Sequence, residues 1–219
     1  MRHPRTRLVC LENTQNLCGG VALTVEYTQR VADLAHGRGL KLHLDGARLF
    51  NAAVALGVDA KALAAPADSV MFCLSKGLGA PIGSLLCGPQ DFIAEARRHR
   101  KQVGGGMRQV GVIAAAGIVA LESMIERLDD DHANARWLAD GLRALPGIEL
   151  DAGTPQTNMV YFNLAATVNL SDEAMAEHMK ANGVWLYGEA RRYRLVTHCW
   201  VTRDDVEKVV KALSAVLRG

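Results

Sequence analysis

The chain has 219 residues, of which 49% are hydrophobic and 22% charged, with a formal net charge of +2. Such a composition suits a globular protein with one or two cores. It gives no electrostatic footing for nucleic acid or an anionic membrane, and no apolar run approaches the length of a membrane span.

Taken in order, Arg7–Leu11 predicts a short strand, followed by the polar loop Glu12-Asn13-Thr14-Gln15-Asn16 and a Gly19-Gly20 pair. Polar side chains just past a strand are placed to meet a ligand, so the loop reads as a candidate site wall or an ordinary turn. Val25–His36 predicts a helix, stopped by Gly37 and Gly39. Leu40–Leu44 and Ser69–Leu74 are apolar runs bounded by Gly, Asp and Ser, the pattern of strands buried in a parallel sheet. The helical stretch Leu49–Leu56 between them makes a βαβ unit. Ligands bind at the carboxyl ends of such strands. Asp45 and Arg48 follow the first of them and Lys76 the second, so all three are expected beside one site.

Beyond Lys76, Gly77, Gly79, Pro81 and Gly83 force a tight course, and Ile82–Cys87 predicts a strand that is antiparallel or at least short, with no helix before it. Asp91–Lys101 predicts a helix whose basic end, Arg97 to Lys101, is a solvated terminus or a subunit contact. Gly104-Gly105-Gly106 offers bare backbone N–H groups that suit an anion, or else a hinge. Val110–Ile125 is an Ala-rich helix, buried or at an interface, and Leu128–Leu145 is amphipathic. Strands are then expected at Ile148–Leu150, Met159–Asn163, Trp185–Tyr187 and Arg194–Thr197, with helices at Ser171–Asn182 and Asp204–Leu217. This predicts an α/β fold in two parts, 1–127 and a small α+β domain at 128–219. The five cysteines are odd in number and lack C-x-x-C spacing, which argues against a disulfide framework and a zinc site and fits the cytoplasm. Cys73 and Cys87 fall in strands and are expected as small core residues. The basic start has no apolar stretch after it and does not read as a signal peptide.

A strand-end Lys shielded from water is nucleophilic towards an aldehyde, and a nearby Asp holds a proton on a pyridine nitrogen. Pyridoxal phosphate needs both. The order strand-Asp-x-x-Arg, then strand-Ser-Lys-Gly, therefore points to that cofactor.

The motifs HLDGAR (43–48), CLSKGLGAPIGSLLCG (73–88) and VGGGMRQVG (103–111) resemble those of the low-specificity L-threonine aldolases, fold-type-I pyridoxal-phosphate enzymes. LENTQN (11–16) and RLVTHCWVT (194–202) are similar to stretches of the same family, in the same order. The resemblance implies the later part of a fold-type-I large domain plus the small domain, with retro-aldol cleavage of threonine or allo-threonine to glycine and acetaldehyde. It implies Lys76 as the cofactor lysine and catalytic residue. Asp45 falls at the ring nitrogen, Arg108 near the phosphate, and Arg194, with Arg48 nearby, on the substrate carboxylate. Arg191 and Arg192 are neighbouring candidates for that clamp. The family usually has His at Gln15, and His3 lies near the position of a second family histidine. Asn158 falls in a TNM segment shared with the family and shapes the pocket; His198 reads as structural. Shared sites in the family imply a homodimer or homotetramer, with a small β-hydroxy amino acid as the other partner. Members are longer, and the phosphate loop and ring-stacking histidine fall outside this chain. Two alternatives follow: a truncated, non-catalytic remnant of the family, and another fold-type-I lyase performing β-elimination, against which HLDGAR and GGGMRQ argue.

Overall fold

A computed structural model describes residues 4–218, so His3 lies outside the described residues. The chain packs into two compact units. One comprises the described residues up to Gln15 together with Ala22–Arg127; the other comprises Asn16–Val21 together with Leu128 onward.

In the first unit, β1 (Leu8–Glu12), β2 (Lys41–Gly46), β3 (Ser69–Cys73) and β4 (Ser84–Cys87) form one sheet in that spatial order. The β1–β2 and β2–β3 pairs are parallel and β3–β4 is antiparallel. The crossovers carry α1 (Val25–His36), α2 (Leu49–Leu56) and a short α3 (Ala60–Ala64) that periodicity does not reveal. Alternation decides what each face does. Leu42 and Leu44 are fully buried, and Leu44, with Val70, packs under Leu49, Ala52, Ala53 and Leu63. Their neighbours His43 and Asp45 are half-buried on the opposite face, in register with Cys10 and Glu12. Cys87 is exposed and Cys73 half-buried, which corrects their expected core placement: β4 is an edge strand, exposed throughout.

Two further helices complete this unit, α4 (Gln90–Gln102) and α5 (Gly111–Ser123). No residue of α4 is buried, and α5 buries only Gly117 and Ala120. A Cβ at Gly117 would stand 2.9 Å from Leu74 Cδ1, so the glycine lets α5 close on the strand end that leads to Lys76.

The second unit is α+β. Its sheet runs β5 (Ile148–Leu150), β6 (Met159–Leu164), β8 (Arg192–Val196), β7 (Tyr187–Glu189), all antiparallel. It packs against α6 (Leu128–Arg143), α7 (Asp172–Ala181) and α8 (Arg203–Arg218). Phe162 and Tyr193 stack at 5.1 Å in this core. Ser171 caps α7 by accepting from Ala174 N–H, and Asp172 in the first turn accepts the Tyr193 hydroxyl. The strand expected at Trp185–Tyr187 begins only at Tyr187; Trp185 is exposed before it.

Asp68 ties three elements of the first unit. Its carboxylate accepts from Lys41 Nζ at 2.7 Å and from Leu42 N–H at 2.8 Å, and it meets His36 Nε2 on α1 at 2.8 Å. Burial pushes its carboxyl up, but the Lys41, Leu42 and His36 hydrogen bonds outweigh this and hold it far below the usual carboxylate range. A depressed folded pKa gives stability that is present above about pH 4 and lost on acidification through the folded pKa. Asp68→Asn should therefore lower the stability of this unit by ~1–2 kcal/mol at pH 7. The gap to the parent should narrow as pH falls below about 4, which urea titrations across pH will show.

Candidate functional site

Asp45 is the fifth of the six β2 residues and pairs in register with Glu12 and Met71. The turn that follows is fixed by local bonds. Asp45 Oδ1 accepts from Ala47 N–H at 3.0 Å, and Asp45 O accepts from Asn13 N–H at 2.8 Å. Arg48 N–H reaches Asn13 O at 3.4 Å, and Arg48 then begins α2 as its N-cap residue. The loop after β1 and the turn after β2 are thus bonded together at the carboxyl ends of adjacent strands. Gly46 makes this possible: a Cβ there would lie 2.6 Å from Met71 O and 3.0 Å from Leu49 Cβ. Thr14, in the same loop, is fully buried, and its Oγ1 has no hydrogen-bond partner.

Lys76 stands three residues beyond β3, in a loop pinned from both ends. Leu74 N–H donates to Gly83 O, Ala80 N–H to Leu74 O, and Gly79 N–H to Lys76 O. Leu74, Leu78 and Ala80 are buried beneath it, while Lys76 itself is exposed. Gly79 and Gly83 take φ +73° and +119°, values that a side chain resists, so the loop needs both. Lys76 Nζ donates to Cys73 Sγ at 3.3 Å. The parallel β2–β3 pairing puts the Asp45 turn and the Lys76 loop at the same end of the sheet.

The triple glycine behaves differently from an open anion cradle. Gly104 N–H donates to Lys101 O and Gly105 N–H to Arg100 O, so two of the three amides terminate α4. Cβ atoms at Gly105 and Gly106 would collide with the Arg100 and Lys101 side chains, at 2.8 and 2.4 Å. Arg108 lies beyond this turn and is exposed.

The second unit sorts the three neighbouring arginines. Arg191 donates to the carbonyls of Ala165, Val168 and Leu170 and holds that loop together. Arg192 pairs with Asp151 at 2.5 Å, donates to Leu17 O at 3.1 Å and stacks on the Tyr161 ring at 4.2 Å. Arg194 is exposed and donates to Asn16 Oδ1; among the described residues no carboxylate pairs with it. Asn158 is buried, donating to Thr197 O while its Oδ1 stays unpartnered. Sequence reasoning could not see that Asn16–Val21 packs with the later residues. Thr157 Oγ1 donates to Gly20 O across 137 positions, and no local pattern reports such a bond.

Among the described residues no cluster of three or more potential ligands could hold a metal, and no helix is long and apolar enough to cross a membrane.

The model of the beta-eliminating lyase family matches residues 1–165. A relative from Arabidopsis thaliana, low-specificity L-threonine aldolase 1, is 47% identical over 205 residues, covering 93% of this chain and 57% of that protein. The low specificity L-threonine aldolase of Escherichia coli K12 is 44% identical over 213 residues, covering 97% and 61%. The chain therefore spans about three fifths of the length of these relatives. Among solved structures, a Leishmania major threonine aldolase superposes with a TM-score of 0.77 at 23% identity, covering 96% of this chain and 61% of that one. That likeness establishes the fold, an α/β sheet unit followed by an α+β unit.

Gly46 has no room for a side chain against fixed backbone. Gly46→Ala should cost roughly 1–3 kcal/mol, because the methyl meets the backbone carbonyl of Met71 rather than a side chain that can move. Chemical denaturation will measure the loss. Leu44→Ala, by contrast, should cost ~2–5 kcal/mol by leaving a cavity under α2.

Proposed function

The chain belongs to the beta-eliminating lyase family, and on that premise we propose that it is the greater part of a pyridoxal-phosphate-dependent threonine aldolase, cleaving L-threonine or L-allo-threonine to glycine and acetaldehyde. The observation that carries this is the pairing of parallel strands that sets the Asp45 turn and the Lys76 loop at one end of the sheet.

The donor set fits the cofactor at its ring and aldehyde ends. Lys76 Nζ is exposed on a loop whose backbone is fixed, and its side-chain neighbour is the Cys73 thiol. The Asp45 carboxylate is half-buried and fixed by Ala47 N–H, suited to keep a proton on a ring nitrogen. The buried, unpartnered Thr14 hydroxyl lies in the loop bonded to that turn, where a ligand can use it. When bound, pyridoxal phosphate supplies an electron sink for the pair released from the breaking Cα–Cβ bond. Lys76 would hold the cofactor at its aldehyde end and serve as the catalytic lysine. Asp45 holds the ring-nitrogen proton. Arg194 would grip the substrate carboxylate through its planar fork, with Arg48 as a further contributor, and so orient the bond that breaks. Arg108 supplies charge to the phosphate.

A homo-oligomer in the cytoplasm, serving glycine formation and threonine breakdown, completes the reading. Its support is the exposed apolar surface of α4 and α5, where Phe92, Val112, Ile118 and Val119 face outward, and five free cysteines. A second reading, a non-catalytic remnant, draws on one observation: two of the three glycine amides are spent on α4, which leaves the phosphate end thinly served.

The test is an absorbance spectrum of the purified chain with pyridoxal phosphate, beside Lys76→Ala, followed by borohydride reduction and peptide mapping. A visible band fixed onto Lys76 and absent from the variant, together with glycine release from threonine, is the expected result. Equal spectra for the two proteins would favour the remnant. Cofactor capture without glycine or acetaldehyde would favour another lyase reaction.

A further inference from the structure

The two units carry different chemistry, and the least explained feature of the second is how its exposed arginine is held. Arg192 and Arg194 lie two residues apart on β8, on the same face of the strand. Arg192 is neutralised by Asp151, and Asn163 Nδ2 fixes that carboxylate at 3.0 Å. Arg194 meets an amide instead. Asn16 Oδ1 accepts from Arg194 Nη1 and, at 3.2 Å, from the hydroxyl of buried Tyr161, the cross-strand partner of Arg194. An arginine can only donate, so the amide oxygen, not its nitrogen, must face this pair. The Asn16 backbone is itself anchored. The next residue gives its carbonyl to Arg192, and Gly20 gives its own to Thr157. A Cβ at Gly20 would fall 2.5 Å from Met159 Cε, so the strap lies close against β6.

We propose that Asn16 is a positioning residue: a neutral acceptor that orients the Arg194 guanidinium while leaving its charge and its other N–H groups for a carboxylate ligand. The inference rests on the reading of Arg194 as the substrate-carboxylate clamp and deepens it. Arg192 is the internal control. The same side chain on the same strand, given an acidic partner, is spent as an ion pair. An aspartate at position 16 would do the same to Arg194. An alanine would leave the guanidinium charged but free to swing, so that part of the ligand's binding energy is used to order it.

Arginine-selective modification reads this directly. The chain is mixed with pyridoxal phosphate and treated with phenylglyoxal with and without glycine as the carboxylate probe, and labelling of Arg194 is followed by peptide mass. In the parent chain glycine should protect Arg194. In Asn16→Asp protection should weaken by about tenfold or more in the glycine concentration required, and in Asn16→Ala by about threefold to tenfold. Borohydride-fixed cofactor on Lys76 should be the same in all three. Tyr161→Phe, which removes one of the two bonds fixing the amide and keeps the ring under Arg192, should weaken protection less than Asn16→Ala, and it serves if the Asp variant fails to fold. Equal protection in the parent and every folded variant would overturn the role of Asn16 and leave the clamp standing. No protection of Arg194 in the parent chain would overturn the clamp and this inference with it.

Discussion

The approach of β2 to β3 at Gly46 is the constraint on which the rest of the first unit depends. A single absent methyl lets the Met71 carbonyl lie against the strand end, with Leu49 closing over it at the start of α2. The bond from Asn13 N–H to Asp45 O then ties the end of β1 into the same turn. Three consecutive strands thus finish side by side. The residues after them, Thr14, Arg48 and Lys76, follow strand ends whose places are set by backbone hydrogen bonds and by close packing, not by the side chains' own preferences. Backbone bonds and close packing thus hold these strand ends without a carboxylate pinning Lys76.

Much of this was legible because it is periodic or local. The alternation in KLHLDG is the alternation of burial seen in β2, with Leu42 and Leu44 inward and His43 and Asp45 outward. The absence of a helix between β3 and β4 fits their antiparallel pairing. Ser171, followed by two acids, caps α7 as its composition suggests. The misreadings have physical causes too. Cys87 alternates like a core residue but belongs to an edge strand, and a sequence does not say which strand is at the edge. The glycine run left an anion cradle and a hinge both open, and the helix ending just before Gly104 and Gly105 takes up their amides itself. RRYR offered three arginines for one role. Only tertiary structure separates Arg191, wrapped by carbonyls, and Arg192, paired with Asp151, from Arg194.

The segment Asn16–Val21 is the clearest case of information that no window of sequence contains. Its flanks pack with the sheet of the first unit, while its own carbonyls and Asn16 bond to β6 and β8 residues and to Thr157, more than a hundred positions away. The LENTQN motif thus serves two structures in six residues. Leu11 to Gln15 continue β1 into the turn beside Asp45, and Asn16 leaves it for Arg194. The motif's first five residues belong to one unit and its last to the other.

The two faces of the first sheet complete the physical picture. Parallel sheets are normally covered on both sides, and their strands then read as continuous apolar runs. Here α1, α2 and α3 cover one face, which is built mainly of Leu, Val and Ala. The other carries Cys10, Glu12, His43 and Asp45, with His43 Nδ1 bonded to Ser69 Oγ at 2.8 Å. A polar face on a parallel sheet is costly if it is sealed and idle, because each group then needs a partner. It is cheap where the strands end in a ligand site, since the groups nearest the ligand keep their polarity for it. On the proposal of a ligand site at this end of the sheet, the polar residues lie on its working side, and the fully buried Leu42 and Leu44 lie on the side that holds it together.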